Sequence, residues 1–283
     1  MLTISKNQQE ILSVLLRNKK LSSSAIHAEL TSNGNDTSLV TTKRTLTSMT
    51  KFGIIVLSGS GPSTVYSITS LGRLCADVDT EFYNAIEPDT RYGMDRYNFE
   101  LLAAVPTHIF SEKEVRILEK ATAEYHNRTA DIPPTIQKKE LLRLVIELSW
   151  KSSKIEGNTY TLLDTEKLIL DGIIAPGHSK AETQMILNHK DAFAFIYENA
   201  KQFRHVTRAN LEKLHAIIVN DLSVGLGLRK KPVGILGSQY HPLDNVHQIN
   251  EAVRELSTTI DRMQTPYAKA LVALVGVSYI QPF

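Results

Sequence analysis

Cysteine is almost missing from this 283-residue chain, which holds one thiol, Cys75. A lone cysteine excludes an internal disulfide and a thiolate metal cluster, so the expected setting is a reducing compartment. The opening residues Met1-Leu2-Thr3-Ile4-Ser5-Lys6 lack the apolar stretch of a secretory signal, and no run reaches the ~18 apolar residues of a membrane span. A soluble, cytoplasmic protein with no membrane partner is expected. No metal-ligand set stands out, so no metal site is expected. The net charge of +2 is also small, but it is unevenly spread. Residues 1–75 hold eight basic and three acidic side chains, a balance of +5 that leaves −3 for the remainder. A polyanion partner is therefore expected, if anywhere, at the N-terminal end.

The first 75 residues read as three helices and a hairpin. Ile11, Leu12, Leu15 and Leu16 recur at helical spacing, and Ser22 or Ser23 can cap a second helix whose Ile26 and Leu30 face inward. A third helix is predicted from about Ser38 to Lys51, with Val40, Leu46 and Met49 inside and Gly53 as its stop. Residues 54–57 are strand-like, 58–62 form a turn, and 64–68 alternate as a returning strand. This run resembles the winged helix-turn-helix domains of bacterial regulators, whose third helix and first strand carry a Thr-x-x-Arg-x-Leu-x-x-Leu-x-x-x-Gly-Leu-Ile pattern. The matching stretch here is 41–55, from Thr41 through Arg44 and Leu46 to Gly53-Ile54-Ile55. The resemblance implies a third helix in the major groove, with Thr42, Lys43, Arg44, Thr45, Thr47 and Lys51 as the candidate DNA contacts. The wing, 58–63, contains no Lys or Arg to neutralise phosphate, so a protein-docking or dimerising role stays open beside DNA binding.

Residues 76–110 carry Tyr83, Tyr92, Tyr97 and Phe99, too many aromatics for a disordered linker, and are read as a packed connector along the second domain. From 111 onward helices are predicted near 111–129, 137–156, 164–171, 180–200, 207–220, 245–263 and 266–280. The first opens on a Ser111/Glu114 capping box. The second is expected to bury Leu141, Leu144, Val145, Leu148 and Ile155, and the last is read as wholly apolar and buried. Between helices, 228–242 is β-capable and is read as a short hairpin.

Three motifs in order, with one further segment between the first two, carry a second resemblance, covering roughly residues 90–283. Ser152, Glu156 and Gly157 match a Ser/Thr-x-x-x-Glu-Gly/Asn helix end. Arg229, Val233, Ile235, Gly237, Ser238, Tyr240 and Pro242 match an Arg-x-x-x-Val-x-Ile-x-Gly-Ser-x-Tyr-x-Pro-Pro flap, with Leu243 in place of the second proline. Gln281-Pro282-Phe283 follows an apolar helix as His-Pro-Phe would, and Glu182 to His189 matches a Glu-x-x-x-x-x-Asn-His segment. The chain thereby resembles the Fic (Fido) proteins of the self-inhibited class. The resemblance implies a mainly α fold: a winged helix (1–75), the connector (76–110), and an all-α Fic domain (111–283) with a short β-hairpin flap.

The resemblance further implies AMP transfer from ATP to a Ser, Thr or Tyr hydroxyl of a protein target. Ser152, Glu156 and Gly157 would form the inhibitory helix, and the 229–242 residues would position the target. That chemistry needs a histidine base, an acidic ligand for Mg²⁺ and an anion-binding Gly-Asn-Gly turn. Gln281 stands where the histidine belongs, and an amide is no base near pH 7. The sequence reaches Phe283 before the positions of the metal ligand, the glycine turn and the arginines. The expectation is a catalytically dead member that binds neither ATP nor Mg²⁺, as a fragment of a longer protein or a degenerate regulator; the competing class is a DNA-binding or antitoxin-like regulator. A homo-oligomer is compatible with either.

Overall fold

A computed structural model describes residues 4–235 and 237–283; Leu236, within the predicted flap, lies outside the described residues. The chain is mainly helical with one small antiparallel sheet, and it divides into two compact units. The division is not contiguous in sequence: residues 232–243 group with 1–109, and 110–231 with 244–283. No described helix is long and apolar enough to cross a membrane.

In the first unit α1 (Lys6–Arg17), α2 (Ser23–Ser32) and α3 (Leu39–Lys51) precede strands β1 (Ile55–Ser58) and β2 (Val65–Ile68). Each helix begins where a serine hydroxyl accepts an otherwise orphaned backbone N–H: Ser5 from Gln8, Ser22 from Ala25, Ser38 from Thr41. The strands pair from Ile55↔Ile68 to Ser58↔Val65, and Leu21 adds a bridge to Tyr66 with mutual N–H···O bonds of 3.1 and 2.8 Å. Gly59, at φ +82°, turns between them where a Cβ would collide with the Ser63 carbonyl. Ile11, Leu12, Leu15, Ile26, Leu30, Leu46 and Met49 close with Ile54, Ile55, Tyr66 and Ile68 into one core. Val40 departs from expectation, being 69 % exposed. Thr42, Leu46 and Met49, at helical spacing, form the inner face of α3, and Val40 lies well round the cylinder from it.

After α4 (Ser70–Cys75), which ends the first 75 residues, the connector holds α5 (Thr80–Ala85) and α6 (Leu101–Ala104). It is fastened within this unit, where Gln9 Nε2 donates to Cys75 O (2.9 Å), Asp77 N to Gln9 Oε1 (2.9 Å), and Ser70 Oγ to Glu100 (3.2 Å). Tyr83 and Tyr92 meet edge to face, as do Tyr97 and Phe99, so the aromatics pack on each other. The expected hairpin over 229–242 is absent among the described residues. The stretch runs as an extended strap whose single bridge is parallel, Arg96↔His241. Pro232 and Pro242 lack the N–H a ladder needs, and Gly237 turns left-handed at φ +73°.

The second unit contains α7 (Glu112–Thr129), α8 (Pro134–Ile155), α9 (Leu162–Asp171), α10 (Lys180–Glu198), α11 (Arg208–Ile218), α12 (Val246–Asp261) and α13 (Pro266–Ile280). Packing runs α9–α8–α10–α11 and then α12–α13. The buried face of α8 agrees with the predicted one only at Val145. Val145, Ile146, Ser149 and Ser153 are buried while Leu144, Leu148 and Ile155 are exposed, Ile155 at 88 %. Two serines at a helix contact are small enough to be covered yet add nothing to an apolar count. Helix α13 likewise buries one face, Ala268, Val272, Gly276 and Ile280, leaving Leu271, Leu274 and Val275 exposed. On that face Gly276 lies against Leu256 of α12, with no room for a Cβ.

Gly276→Ala is expected to cost about 1–3 kcal/mol through overpacking. Adding Leu256→Ala should recover part of that loss, giving a non-additive double-mutant cycle in chemical denaturation.

Candidate functional site

The sequence motifs of the second unit lie along one connected line of helix ends. At the end of α8 the chain turns through Gly157 at φ +90°, with Asn158 N bonded to Ser153 O at 3.0 Å. The turn is bolted to the start of α10. Asn158, buried, donates to Glu182 O (2.8 Å) and accepts from Tyr160 N (3.0 Å). One oxygen of Glu182 accepts from Thr159 N and Oγ1 (3.0 and 2.6 Å), the other from Ser179 N and Oγ (2.8 and 2.9 Å). These donors, the Thr159 hydroxyl foremost, hold the Glu182 carboxyl at about 2, well below the usual range.

Glu156 caps α8 and is half exposed; its carboxylate stands 3.9 Å from His189 Nε2 of α10. Burial presses the His189 imidazole below its ordinary pKa, and the neighbouring Glu156 charge partly opposes that. Ser152 is half-buried, and Ser153 beside it fully buried with no hydrogen-bond partner for its hydroxyl. One residue before His189, buried Asn188 accepts from Gln184 and donates to the carbonyls of Ile218 (3.0 Å) and Asn220 (2.7 Å). It thus closes the C-terminal end of α11. His215 of that helix stacks on Phe283, with centroids 4.4 Å apart and planes 11° from parallel.

The line ends at α13. Gln281 is its C-cap, left-handed at φ +49° and ψ +63°, with its N–H on Val277 O (2.9 Å) and its side-chain amide on Ser278 O (2.8 Å). A non-glycine residue there costs about 1–2 kcal/mol. Arg229 stabilises that conformation: its N–H donates to Pro282 O (3.0 Å), its Nε to Gln281 O (2.5 Å) and its Nη2 to Ile280 O (3.5 Å). A guanidinium on the two successive carbonyls of Ile280 and Gln281 at a helix C-terminus also suits the helix dipole.

Of the flap residues, Arg229 therefore belongs to the second unit, while Val233, Ile235, Gly237, Ser238, Tyr240 and Pro242 belong to the first. There the strap is held by His241 N on Asp95 O (2.8 Å), by Arg91 on Gly237 O (3.4 Å), and by Gln239 on Asp89 O. Pro242 is buried, Tyr240 half-buried and Val233 exposed. On α3, Lys43, Arg44, Thr47 and Lys51 are exposed and Thr45 is half-buried. Thr42 is withdrawn from the candidate contacts: it is buried, and its hydroxyl donates to Ser38 O (3.2 Å) inside the helix. Among the described residues no group of three or more His, Cys, Asp or Glu could hold a metal ion. Sequence reasoning noticed Glu182, Asn188 and Arg229 but missed their work as fasteners of helix ends. The signal was present in Glu182 standing three residues after Ser179, the spacing of a capping box.

No family profile matches the sequence, and no curated protein does. Among solved structures the chain is similar to a Fic family protein from Desulfovibrio desulfuricans G20, determined at 2.70 Å. The identity is 20 % and the TM-score 0.50, over 63 % of this chain and 55 % of the other. The chain thus spans about half the length of that neighbour, and the likeness is one of fold.

Because the Glu182 pKa is lowered on folding, its stabilising contribution is full above about pH 4.5, the ordinary carboxylate value, and is lost as pH falls through about 2. Glu182→Gln should lower the melting temperature at pH 7 and flatten the melting curve's pH dependence between those limits. An unchanged dependence would refute the assignment of Glu182 as the bolt of the α8–α10 turn.

Proposed function

We propose that the second unit is a Fic-type domain descended from AMP transferases, in which proton abstraction has been lost and binding remains. The fold likeness supports the first half of this reading. One observation carries the second: Gln281, at the place of the family's histidine, uses its side-chain amide to cap its own helix at Ser278 O. An amide cannot take a hydroxyl proton near neutral pH. In this reading Ser152, Glu156 and Gly157 are the remains of an inhibitory helix end, with Glu156 facing His189 instead of a nucleotide-binding arginine. Arg229, which in the family belongs to the target-positioning flap, is spent on the carbonyls around Gln281.

The residues present do not fit a magnesium nucleotide. Among the described residues, the polar contacts around Gln281 and Pro282 are those of Arg229 and of Gln281 itself with backbone oxygens, the aromatic contact is His215 on Phe283, and no carboxylate figures among them. No step is therefore routed through ATP or Mg²⁺. The partner in this proposal is a cytoplasmic protein bound without modification.

A second reading concerns the first unit, which we propose to be a winged helix that binds DNA. The exposed Lys43, Arg44 and Lys51, with Thr47 between them, favour it. Against it stand a turn without cations and the exposed Val56 and Leu57 of β1, which suit a protein surface better.

Incubation with labelled ATP and Mg²⁺ is expected to leave no AMP on the protein or on lysate proteins; robust transfer overturns the loss of catalysis. For the first unit, a mobility shift should weaken steeply with salt, and Lys43→Ala with Arg44→Ala should reduce the salt slope by roughly one per phosphate contact removed. No shift with any DNA at low salt would leave the protein-docking role.

A further inference from the structure

Helices α8 and α10 are bolted where the end of one meets the start of the other, through Asn158 and Glu182. Away from that bolt they part. Between the first half of α8 and the second half of α10 lies a cleft of about 630 Å³, with Tyr125 of α7 as a third wall. That volume is in the range of small-molecule sites. Each helix turns a stripe at helical spacing into it: Leu141, Leu142 and Val145 from α8, and Phe193, Ala194 and Tyr197 from α10. Gln137, also in the lining, donates from Nε2 to the carbonyls of Thr129 (3.1 Å) and Ile132 (2.8 Å), tying the α7–α8 turn to α8.

The shape and the lining define what the cleft can hold. On α8 it extends from Pro134 to Val145, about 16 Å of helix at 1.5 Å per residue. Val145 is buried and Leu141, Leu142 and Phe193 are half-buried, while Ala194 adds little bulk on the α10 side. An elongated space between aliphatic walls suits a flexible hydrocarbon chain. The two tyrosines, 60 % and 64 % exposed, carry its edge out to solvent.

The polar end of the ligand follows from the charges. Lys138, Lys190 and Glu198 are the ionisable groups of the lining with charges at neutral pH, two cations against one carboxylate. Lys190 lies 3.4 Å from Asp191, which is outside the lining, whereas Lys138 has no ion-pair partner among the described residues. Beyond the lining, Glu140 is paired with Arg143 (3.6 Å) and Glu124 with Lys120 (3.8 Å), which leaves Lys139 and Arg128 against Asp131. The flanks therefore keep the positive sign.

We propose that this cleft binds an aliphatic monocarboxylate, a fatty acid of medium chain length. Its tail lies between Leu141, Leu142, Val145 and Phe193, and its carboxylate meets Lys138. The inference stands apart from the Fic reading, since it uses neither Gln281 nor Arg229.

Isothermal titration calorimetry of the full chain with octanoate, decanoate and dodecanoate, each below its micelle concentration, tests it. Affinity should rise about fourfold per added methylene, the ~0.8 kcal/mol of one buried CH₂. Lys138→Gln should weaken decanoate binding about fivefold, as expected for a solvent-exposed ion pair. Decyltrimethylammonium should bind more weakly than decanoate and gain nothing from Lys138. Ala194→Trp, at an exposed position, should fill the cleft and abolish decanoate binding with an unaltered circular dichroism spectrum. Absence of binding heat with all three acids overturns the proposal, as does undiminished decanoate binding by Ala194→Trp. An affinity independent of chain length overturns the hydrocarbon tail. Equal affinity for decanoate and decyltrimethylammonium, or an unchanged decanoate affinity in Lys138→Gln, overturns the carboxylate assignment.

Discussion

The last turn of a helix leaves backbone carbonyls without partners, and the second unit is organised by how those of α8, α11 and α13 are met. Asn188 reaches from α10 to two carbonyls at the end of α11, the Arg229 guanidinium meets the Ile280 and Gln281 carbonyls at the end of α13, and Asn158 and Glu182 lock the turn after α8. Except for Asn158, which follows α8 directly, each fastener is a polar side chain supplied by a distant stretch of sequence. Each spends hydrogen bonds on backbone, with hydroxyls of Thr159 and Ser179 adding to Glu182 and the Gln184 amide adding to Asn188.

The motif positions take part in this use of polar residues. The same positions that suggest a Fic protein by motif are occupied here in structural work. Gln281 donates to its own helix, Arg229 holds the carbonyls around it, and Glu156 faces a desolvated histidine.

The two faces that run against the apolar pattern share one cause. On α8 the stripe of Leu144, Leu148 and Ile155 is exposed while Ser149 and Ser153 are buried, and on α9 Leu163 and Leu170 stay outside while Thr165 lies within. Small hydroxyl residues permit close helix approach, so the packed face need not be the most apolar one. Large side chains displaced from that face then become surface.

The order of elements, the positions of most helix ends and the core of the first unit were legible in the residues themselves. Periodicity and capping are local: Ser111 with Glu114, or Ser5 with Gln8, closes a helix start within four residues. Strand pairing of 55–58 with 65–68 is likewise a matter of one short turn. Tertiary structure alone decided which helix face is buried, that Thr42 points inward, that 229–242 is a strap and not a hairpin, and that Arg229 ends on Gln281. Those outcomes depend on partners tens of residues away along the chain. A helix with two similar faces holds no local preference between them until another surface desolvates one.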